Sequence, residues 1–405
     1  MNLAIAILGS AAIAFVVSER LTRLMRFVAP RLGFVDKPGG RKAHKAPTPL
    51  GGGVAIWMTT LIVLGAGAAV AAVVPDRLPP ELAIHLAGLF EKGPLLGFVL
   101  GLATLIMLMG LADDRVGLGW KLRIGVQTAL SIALVASGVR ITLFPPFDAP
   151  LFGSVITVLW IVGLTNSFNF LDNMDGLAAG VGLIAAVLFA VAQLEVGGLF
   201  VPIVFFVLAG ALGGFLVHNR APARIFMGDG GSNFLGFMVG TLTVIGTFTR
   251  PELGFSPYAV LAPLLVMAVP LYDTTSVVII RIREGRSPFQ ADRRHFSHRL
   301  VDRGLTPVQA VRTIYLVTLA GGLGTLILPR LDLAGSLVVL SQTLCLVGII
   351  AIFEVAPGPG ARPAPSSSPA SPPPTSNPTE LRDVEAPPEP GPPEDRVEAA
   401  ADEGV

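Results

Sequence analysis

The sequence predicts an all-α, polytopic integral membrane protein, and three observations carry that expectation. Hydrophobic residues make up 52% of the 405 and charged residues only 14%, whereas a soluble domain carries about 25% charged residues. Mean hydropathy is +0.70. Apolar stretches of membrane-spanning length recur along the chain, separated by short polar breaks.

The first stretch, MNLAIAILGSAAIAFVVSER, has no basic residue ahead of its apolar run, and Arg20, Arg23 and Arg26 follow it. That order suits a retained first helix with its N-terminus outside, not a cleaved signal peptide. About eleven spans are expected, near 2–18, 53–74, 94–112, 121–139, 152–166, 176–194, 199–217, 231–249, 257–280, 308–328 and 334–353. Taken alternately, they sort the loops into two sets. The set 19–52, 113–123, 166–175, 218–230 and 281–312 carries 21 Lys and Arg against five in the other. The positive-inside rule makes the first set cytoplasmic, and an odd helix count places the C-terminus there as well. Cys345 stands alone in an apolar run and can make no internal disulfide. From about residue 355 the composition turns to APGPGARPAPSSSPASPPP and then to an acidic, Pro-rich end. Such a segment buries too little apolar surface to offset its ordering entropy. The chain therefore reads as a membrane domain, 1–353, and a disordered cytoplasmic tail, 354–405. No soluble catalytic domain and no 20–50-residue repeat is legible.

Five polar clusters fall in the cytoplasmic set. VDKPGGRKAHKAPTPLGGG, 35–53, presents Arg41, Lys42, His44 and Lys45 on a loop punctuated by Gly and Pro. Cations beside backbone amides suit phosphate oxygens; the alternative is a basic patch on lipid headgroups. GLADDRVG places Asp113 and Asp114 at the inner end of the third span. Adjacent acids there oppose the helix dipole, so a divalent cation or a catalytic role would compensate. A prenyl-synthase DDxxD pattern fails, because the fifth residue is Gly117.

NSFNFLDNMDGLAAG, 166–180, ends an apolar run in Asn166, Asn169, Asp172 and Asp175. On a continued helix Asn166 and Asn169 share a face, and Asn169 and Asp172 repeat that spacing; amide and carboxylate oxygens are hard ligands suited to Mg²⁺. The competing use is Asx capping of the next helix by Asp172 or Asp175. RIFMGDGGSNFLG, 224–236, holds Asp229 in a glycine turn at a helix start, where amides favour an anion and the acid can hold a metal. QADRRHFSHRLVDRG, 290–304, carries His295 and His298 among Arg293, Arg294 and Arg299. Flanking cations oppose zinc and fit phosphate or pyrophosphate. Asp273, inside the ninth span, needs a cavity or a polar partner. Placed on one membrane face, the five clusters describe a Mg²⁺–pyrophosphate site with a nucleotide diphosphate as aqueous substrate and a lipid as acceptor.

The ordered set RKAHxxPTPLGGG, LADD, NSFNFLDNMDGLAAG, FMGDGGS and DRRHFSHRL resembles the polyprenyl-phosphate N-acetylhexosamine-1-phosphate transferase family over about residues 1–353. The resemblance implies transfer of a sugar 1-phosphate from a UDP-N-acetylhexosamine to undecaprenyl phosphate, with release of UMP, at the cytoplasmic face of a bacterial inner membrane. It implies Mg²⁺ as cofactor, with Mn²⁺ as a substitute, and a homodimer as a family-level expectation; no nucleic acid is involved. It makes Asp113 and Asp114 the catalytic pair and Asn169 and Asp229 the metal ligands. Asp172 falls near the uridine diphosphate and Lys45 near the phosphates, while His295 and His298 contact sugar or phosphates. Arg41, Lys42, His44, Asn166, Asp175 and Arg299 complete the expected substrate-binding set. One departure stands out: the N-acetylglucosamine branch often reads H-x-H-H where this chain has His295-Phe296-Ser297-His298. The three-histidine run of the branch using UDP-MurNAc-pentapeptide is absent, so N-acetylglucosamine is favoured. A transporter is the rival class, but its site belongs near the bilayer midplane, where only Asp273 lies. A CDP-alcohol phosphotransferase would need Arg at position 180, which is Gly.

Overall fold

The computed structural model describes residues 3–36, 47–75, 86–142, 149–288 and 294–355. The chain divides into two units, Met1–Pro359 and Gly360–Val405, and the fold described is that of the first. Its helices are α1 Leu3–Arg31, α2 Gly52–Val73, α3 Leu86–Val116, α4 Trp120–Ala136, α5 Pro150–Leu171, α6 Leu177–Glu195, α7 Phe200–Asn219 and α8 Gly228–Ile245. They continue as α9 Ala262–Val266, α10 Ala268–Arg283, α11 Phe296–Asp302, α12 Pro307–Gly322 and α13 Leu333–Val355. A helix or a broken helix thus stands at each of the eleven predicted stretches. Among the described residues a two-residue strand pair, Val35–Asp36 with Thr48–Pro49, and an isolated bridge between Leu50 and Phe226 are β structure the all-α expectation did not contain. The predicted tail from residue 356 onward lies outside the described residues, and α13 runs to Val355.

Among the described residues eight helices are long and apolar enough to cross a membrane: α1, α2, α3, α5, α6, α7, α13 and the segment 307–330 that begins with α12. The segment Pro257–Val266 and α10 make a ninth if their 60° bend belongs to one span. The bend has a local cause. Pro270 lacks an N–H, so the Val266 carbonyl loses its helical donor at the break. Helices α4 and α8, of 17 and 18 residues, fall outside that group. Lys121 and Arg123 sit in the first turn of α4, and Gly228, Asp229, Gly230 and Gly231 open α8.

Burial separates inner helices from outer ones. In α6 and α7, 72% of the apolar window is covered by protein, against 17% in α1. Phe168, Phe189, Phe205, Phe215, Phe234 and Phe237 are fully buried between α5, α6, α7 and α8. The outer faces stay apolar: Ile5, Leu8 and Ile13 of α1 and Leu337, Val338 and Ile349 of α13 are exposed. An apolar outer surface of that extent belongs in lipid, so the chain is a multi-pass membrane protein.

Close approach at glycine brings α8 to its neighbours. A Cβ on Gly53 of α2 would lie 2.3 Å from the Gly231 backbone, and one on Gly110 of α3 would lie 2.4 Å from the Asp229 carbonyl oxygen. Small residues are how helices approach in lipid, where no hydrophobic force drives them together. Gly110→Ala is expected to lower the thermal unfolding midpoint in detergent, because overpacking of this kind costs about 1–3 kcal/mol. Gly101→Ala, on the same helix with nothing within 4 Å of its Cβ, should leave the midpoint unchanged or slightly raised.

Candidate active site

The C-terminal ends of α3 and α5 and the N-terminal ends of α4 and α8 meet at one end of the bundle. They carry the motifs of Asp113 and Asp114, Asn169, and Asp229 to the same place. Asp114, from the last turns of α3, accepts the backbone N–H groups of Asp229 at 2.9 Å and Gly230 at 3.2 Å. The first amides of a helix lack intrahelical partners and favour an anion, and here Asp114 is that anion. Gly228, at φ +74°, makes the turn possible; a Cβ there would lie 2.6 Å from an Asp114 carboxylate oxygen.

Asp113 is buried and doubly bound. Its carboxylate accepts the Leu118 N–H at 2.6 Å and Nη1 of Arg123 at 2.6 Å. The same Nη1 lies 3.4 Å from Oδ2 of Asp229. Oδ1 of Asp229 receives the Asn169 amide at 2.9 Å, and that amide also reaches the Ser232 hydroxyl at 3.1 Å. Two acids, one amide and one arginine from four helices therefore share one network. Arg123 escaped the motif reading, although a cation in the first turn of an apolar helix was a usable signal. With Trp120, Ile124, Asn166 and Phe170 it lines a shallow depression beside the two acids.

A buried amide chain braces this arrangement. Asn166 donates to Oε1 of Gln127 at 2.6 Å, Gln127 to Oδ1 of Asn233 at 3.0 Å, and Asn233 to the Asp229 carbonyl at 2.7 Å. Asn166, expected at the substrate, thus also serves as a strut between α5 and α4. Gln127 and Asn233 were not singled out from the sequence. A polar residue inside an apolar helix was their signal.

The other predicted residues divide. Asp175 accepts the Ala223 N–H at 2.9 Å, which ties the turn after α5 to the loop after α7. No side chain caps α6; Gly176 does so at φ +77°, with its N–H on Asn219 and its carbonyl on the Tyr315 hydroxyl. Gly180 leaves room for that ring, since a Cβ there would lie 2.0 Å from it. Asp273, buried in α10, has the polar partners expected of it: the Phe296 N–H at 2.5 Å and Nδ1 of His295 at 3.1 Å. The imidazole of His295 packs 5.5 Å from the Phe170 ring, so the end of α5 adjoins both the acidic network and the histidines. His298 is half-buried on α11. Arg299 faces Glu354 at 3.1 Å and Ser276 at 2.7 Å. Arg41, Lys42, His44 and Lys45 lie outside the described residues.

Asp172 differs from the other acids. It is half-buried just past the end of α5, and nothing among the described residues hydrogen-bonds to its carboxylate. Burial, with Asp114 and Asp175 adding like charge, pushes its pKa up to about 7. Asn169 and Asp229 also fit a hard cation. The Asp229 side chain is 36% exposed, and an amide and a carboxylate are oxygen donors of the right kind. No three His, Cys, Asp or Glu side chains cluster as a metal site among the described residues. Two protein donors suffice only where substrate oxygens and water complete the shell, as is usual for Mg²⁺.

Two outcomes follow from these contacts. Asp114→Ala should accelerate hydrogen exchange at the amides of Asp229 and Gly230, while Asp113→Ala leaves both protected. Asp172 has a raised folded-state pKa, so its carboxylate costs stability in the ionised form. The cost is absent below the unfolded pKa near 3.8, grows as pH rises, and is complete above about 7. Asp172→Asn should accordingly raise the unfolding midpoint at pH 8 and leave it nearly unchanged at pH 4.

Comparison with known proteins places this geometry. Residues 96–247, which contain Asp113 through Asp229, match glycosyl transferase family 4. The chain is 31% identical over 349 residues to the Bacillus subtilis "Probable undecaprenyl-phosphate N-acetylglucosaminyl 1-phosphate transferase", covering 84% of this chain and 90% of that protein. It is 36% identical over 326 residues to the decaprenyl-phosphate N-acetylglucosaminephosphotransferase of Mycolicibacterium smegmatis, covering 75% and 77%. With the undecaprenyl-phosphate alpha-N-acetylglucosaminyl 1-phosphate transferase of Escherichia coli K12 the identity is 28% over 310 residues, covering 74% and 76%. Matches of this extent establish that the chain belongs to glycosyl transferase family 4.

Proposed function

We propose that the protein transfers N-acetylglucosamine 1-phosphate from UDP-N-acetylglucosamine to undecaprenyl phosphate, releasing UMP, at the cytoplasmic face of the bacterial inner membrane. The observation that carries the reading is the network of Asp113, Arg123, Asp229 and Asn169 where four helix ends meet. The relatives' names supply the chemistry, and the excess of Lys and Arg in the loops on that side supports the cytoplasmic assignment. Nothing in those names favours transport.

An oxygen of the lipid phosphate attacks the sugar-bearing phosphorus of the donor. One P–O bond forms, the bond to the bridging oxygen breaks, and UMP carries away the electron pair. A phosphomonoester has its second pKa near ~6, so the acceptor is largely dianionic at pH 7 and a general base has little proton to remove. Asp113 orients the site, since its carboxylate holds Arg123 and the Leu118 N–H. Through Nη1 it aims Arg123, whose remaining donors face an incoming phosphate beside the apolar walls of Trp120, Ile124 and Phe170. Asp114 acts one step removed, because its contact with the start of α8 holds Asp229 in place. Asn169 and Asp229 are the residues that would hold Mg²⁺, which when bound neutralises charge on the donor pyrophosphate. Asp172, poised near neutrality, is available to the nucleotide, and His295 and His298 to the sugar or its phosphates.

The test uses protein purified in detergent with undecaprenyl phosphate, Mg²⁺ and UDP-N-acetylglucosamine. UMP release and a sugar-phosphoryl lipid are measured, with UDP-MurNAc-pentapeptide and other UDP-hexosamines run in parallel. The expected product forms from UDP-N-acetylglucosamine, and only with the metal. Arg123→Ala should lower the rate by roughly 100-fold or more, as loss of a preorganised charge does. Folded protein that turns over no UDP-sugar would sink the proposal.

A further inference from the structure

The histidine-bearing helix α11 is only seven residues long and is held from both ends. At its N-terminus Asp273 binds Phe296 and His295, and the Ser297 hydroxyl donates to Asn173 at 2.5 Å. At its other end the partner is Glu354, in the last turn of α13, outside every motif read from the sequence. The Glu354 carboxylate forms an ion pair with Nε of Arg299 at 3.1 Å and accepts the Tyr272 hydroxyl at 2.7 Å, and its backbone carbonyl accepts Arg303. Its side chain is 7% exposed and that of Arg299 is 15% exposed. The buried acid thus joins α13 to α11 through Arg299 and to α10 through Tyr272, while the Glu354 backbone carbonyl holds Arg303 just past the end of α11. The ring of Tyr272 also packs edge-on against Phe296, 5.9 Å away, beside His295.

A seven-residue helix is too short to be stable by itself, so these outside contacts set its position. The buried pair also explains Arg299. Its guanidinium is spent on Glu354, Ser276 and the Arg294 carbonyl, which makes it a brace for the loop more than a ligand for phosphate.

We infer that Glu354 is a positioning residue for the transfer reaction: through Arg299 and Tyr272 its carboxylate holds α11 so that His295 and His298 meet the sugar nucleotide. The inference rests on the proposed function for its kinetic consequence, and on the geometry alone for its structural one. Removing the clamp should loosen donor binding and spare the chemical step, because the Asp113–Arg123–Asp229 network lies on other helices.

Full-length Glu354→Ala, Glu354→Gln and Tyr272→Phe test it. In Glu354→Ala the KM for UDP-N-acetylglucosamine should rise about tenfold with kcat nearly unchanged, the scale expected for losing a buried charge-assisted hydrogen bond. Glu354→Gln keeps an acceptor for Arg299 and Tyr272 and should restore most of the loss. Hydrogen exchange in the absence of substrate should speed up at amides 296–302 in Glu354→Ala and stay unchanged at Asp229 and Gly230. Because an unpaired buried arginine can prevent folding, Tyr272→Phe serves as the milder variant, with the same KM direction and a smaller effect. Unchanged KM and unchanged exchange in folded Glu354→Ala, or in Tyr272→Phe if the former does not fold, would overturn the inference. If wild-type protein turns over no UDP-sugar, the proposed function fails, and exchange at 296–302 alone decides the clamp.

Discussion

Asp114 meeting the first amides of α8 is the contact on which the rest of the site depends. A helix start offers unpaired N–H groups and a positive dipole end; a carboxylate from a second helix satisfies both. Here that exchange joins α3 to α8 across 115 residues of chain. It also solves a problem for α3, whose two terminal acids would otherwise oppose its own dipole. One interaction thereby sets the angle of Asp229, and Asp229 sets what Arg123 and Asn169 can reach.

The second constraint is charge balance in a membrane setting. Asp113 and Asp229 stand close enough to share one arginine nitrogen. Buried or half-buried like charges are costly without a cation between them. Arg123 supplies that cation in the protein itself. The amide chain of Asn166, Gln127 and Asn233 supplies direction without adding charge, which is the cheaper way to fix helices in apolar surroundings. Together these contacts preorganise a charged site on a scaffold whose outer face is hydrocarbon.

The site has two halves joined by α5. Asn169 faces the acidic network, and Phe170, the next residue, faces His295 and lies under the Arg281 guanidinium at 5.4 Å. Each half is braced from behind by a residue that touches no reactant in the proposed scheme: Asp114 for one, Glu354 for the other. Rigid apolar helices and buried braces suit a reaction whose catalysis is mostly placement of phosphates and charge.

The helical membrane character of the chain and the stretches that form its helices are legible in the sequence, as are the motifs of Asp113, Asn169 and Asp229 that meet at one end. Apolar length and loop charge are local properties and can be counted without coordinates. The sequence also pointed to Asp113, Asp114, Asn169, Asp229, Asp273 and His295, because polar groups at helix ends in apolar segments are conspicuous. Tertiary structure alone decided what each of them does. Arg123, Gln127, Asn233 and Glu354 carry their roles through partners on other helices: Arg123 meets Asp113, Gln127 meets Asn233 and Glu354 meets Tyr272. Adjacent Asp113 and Asp114 cannot be told apart by composition, yet one meets an arginine and the other a helix start. The reason is physical: spacing along a helix fixes which residues share a face, while partners across helices depend on where glycines such as Gly53 and Gly110 let backbones approach.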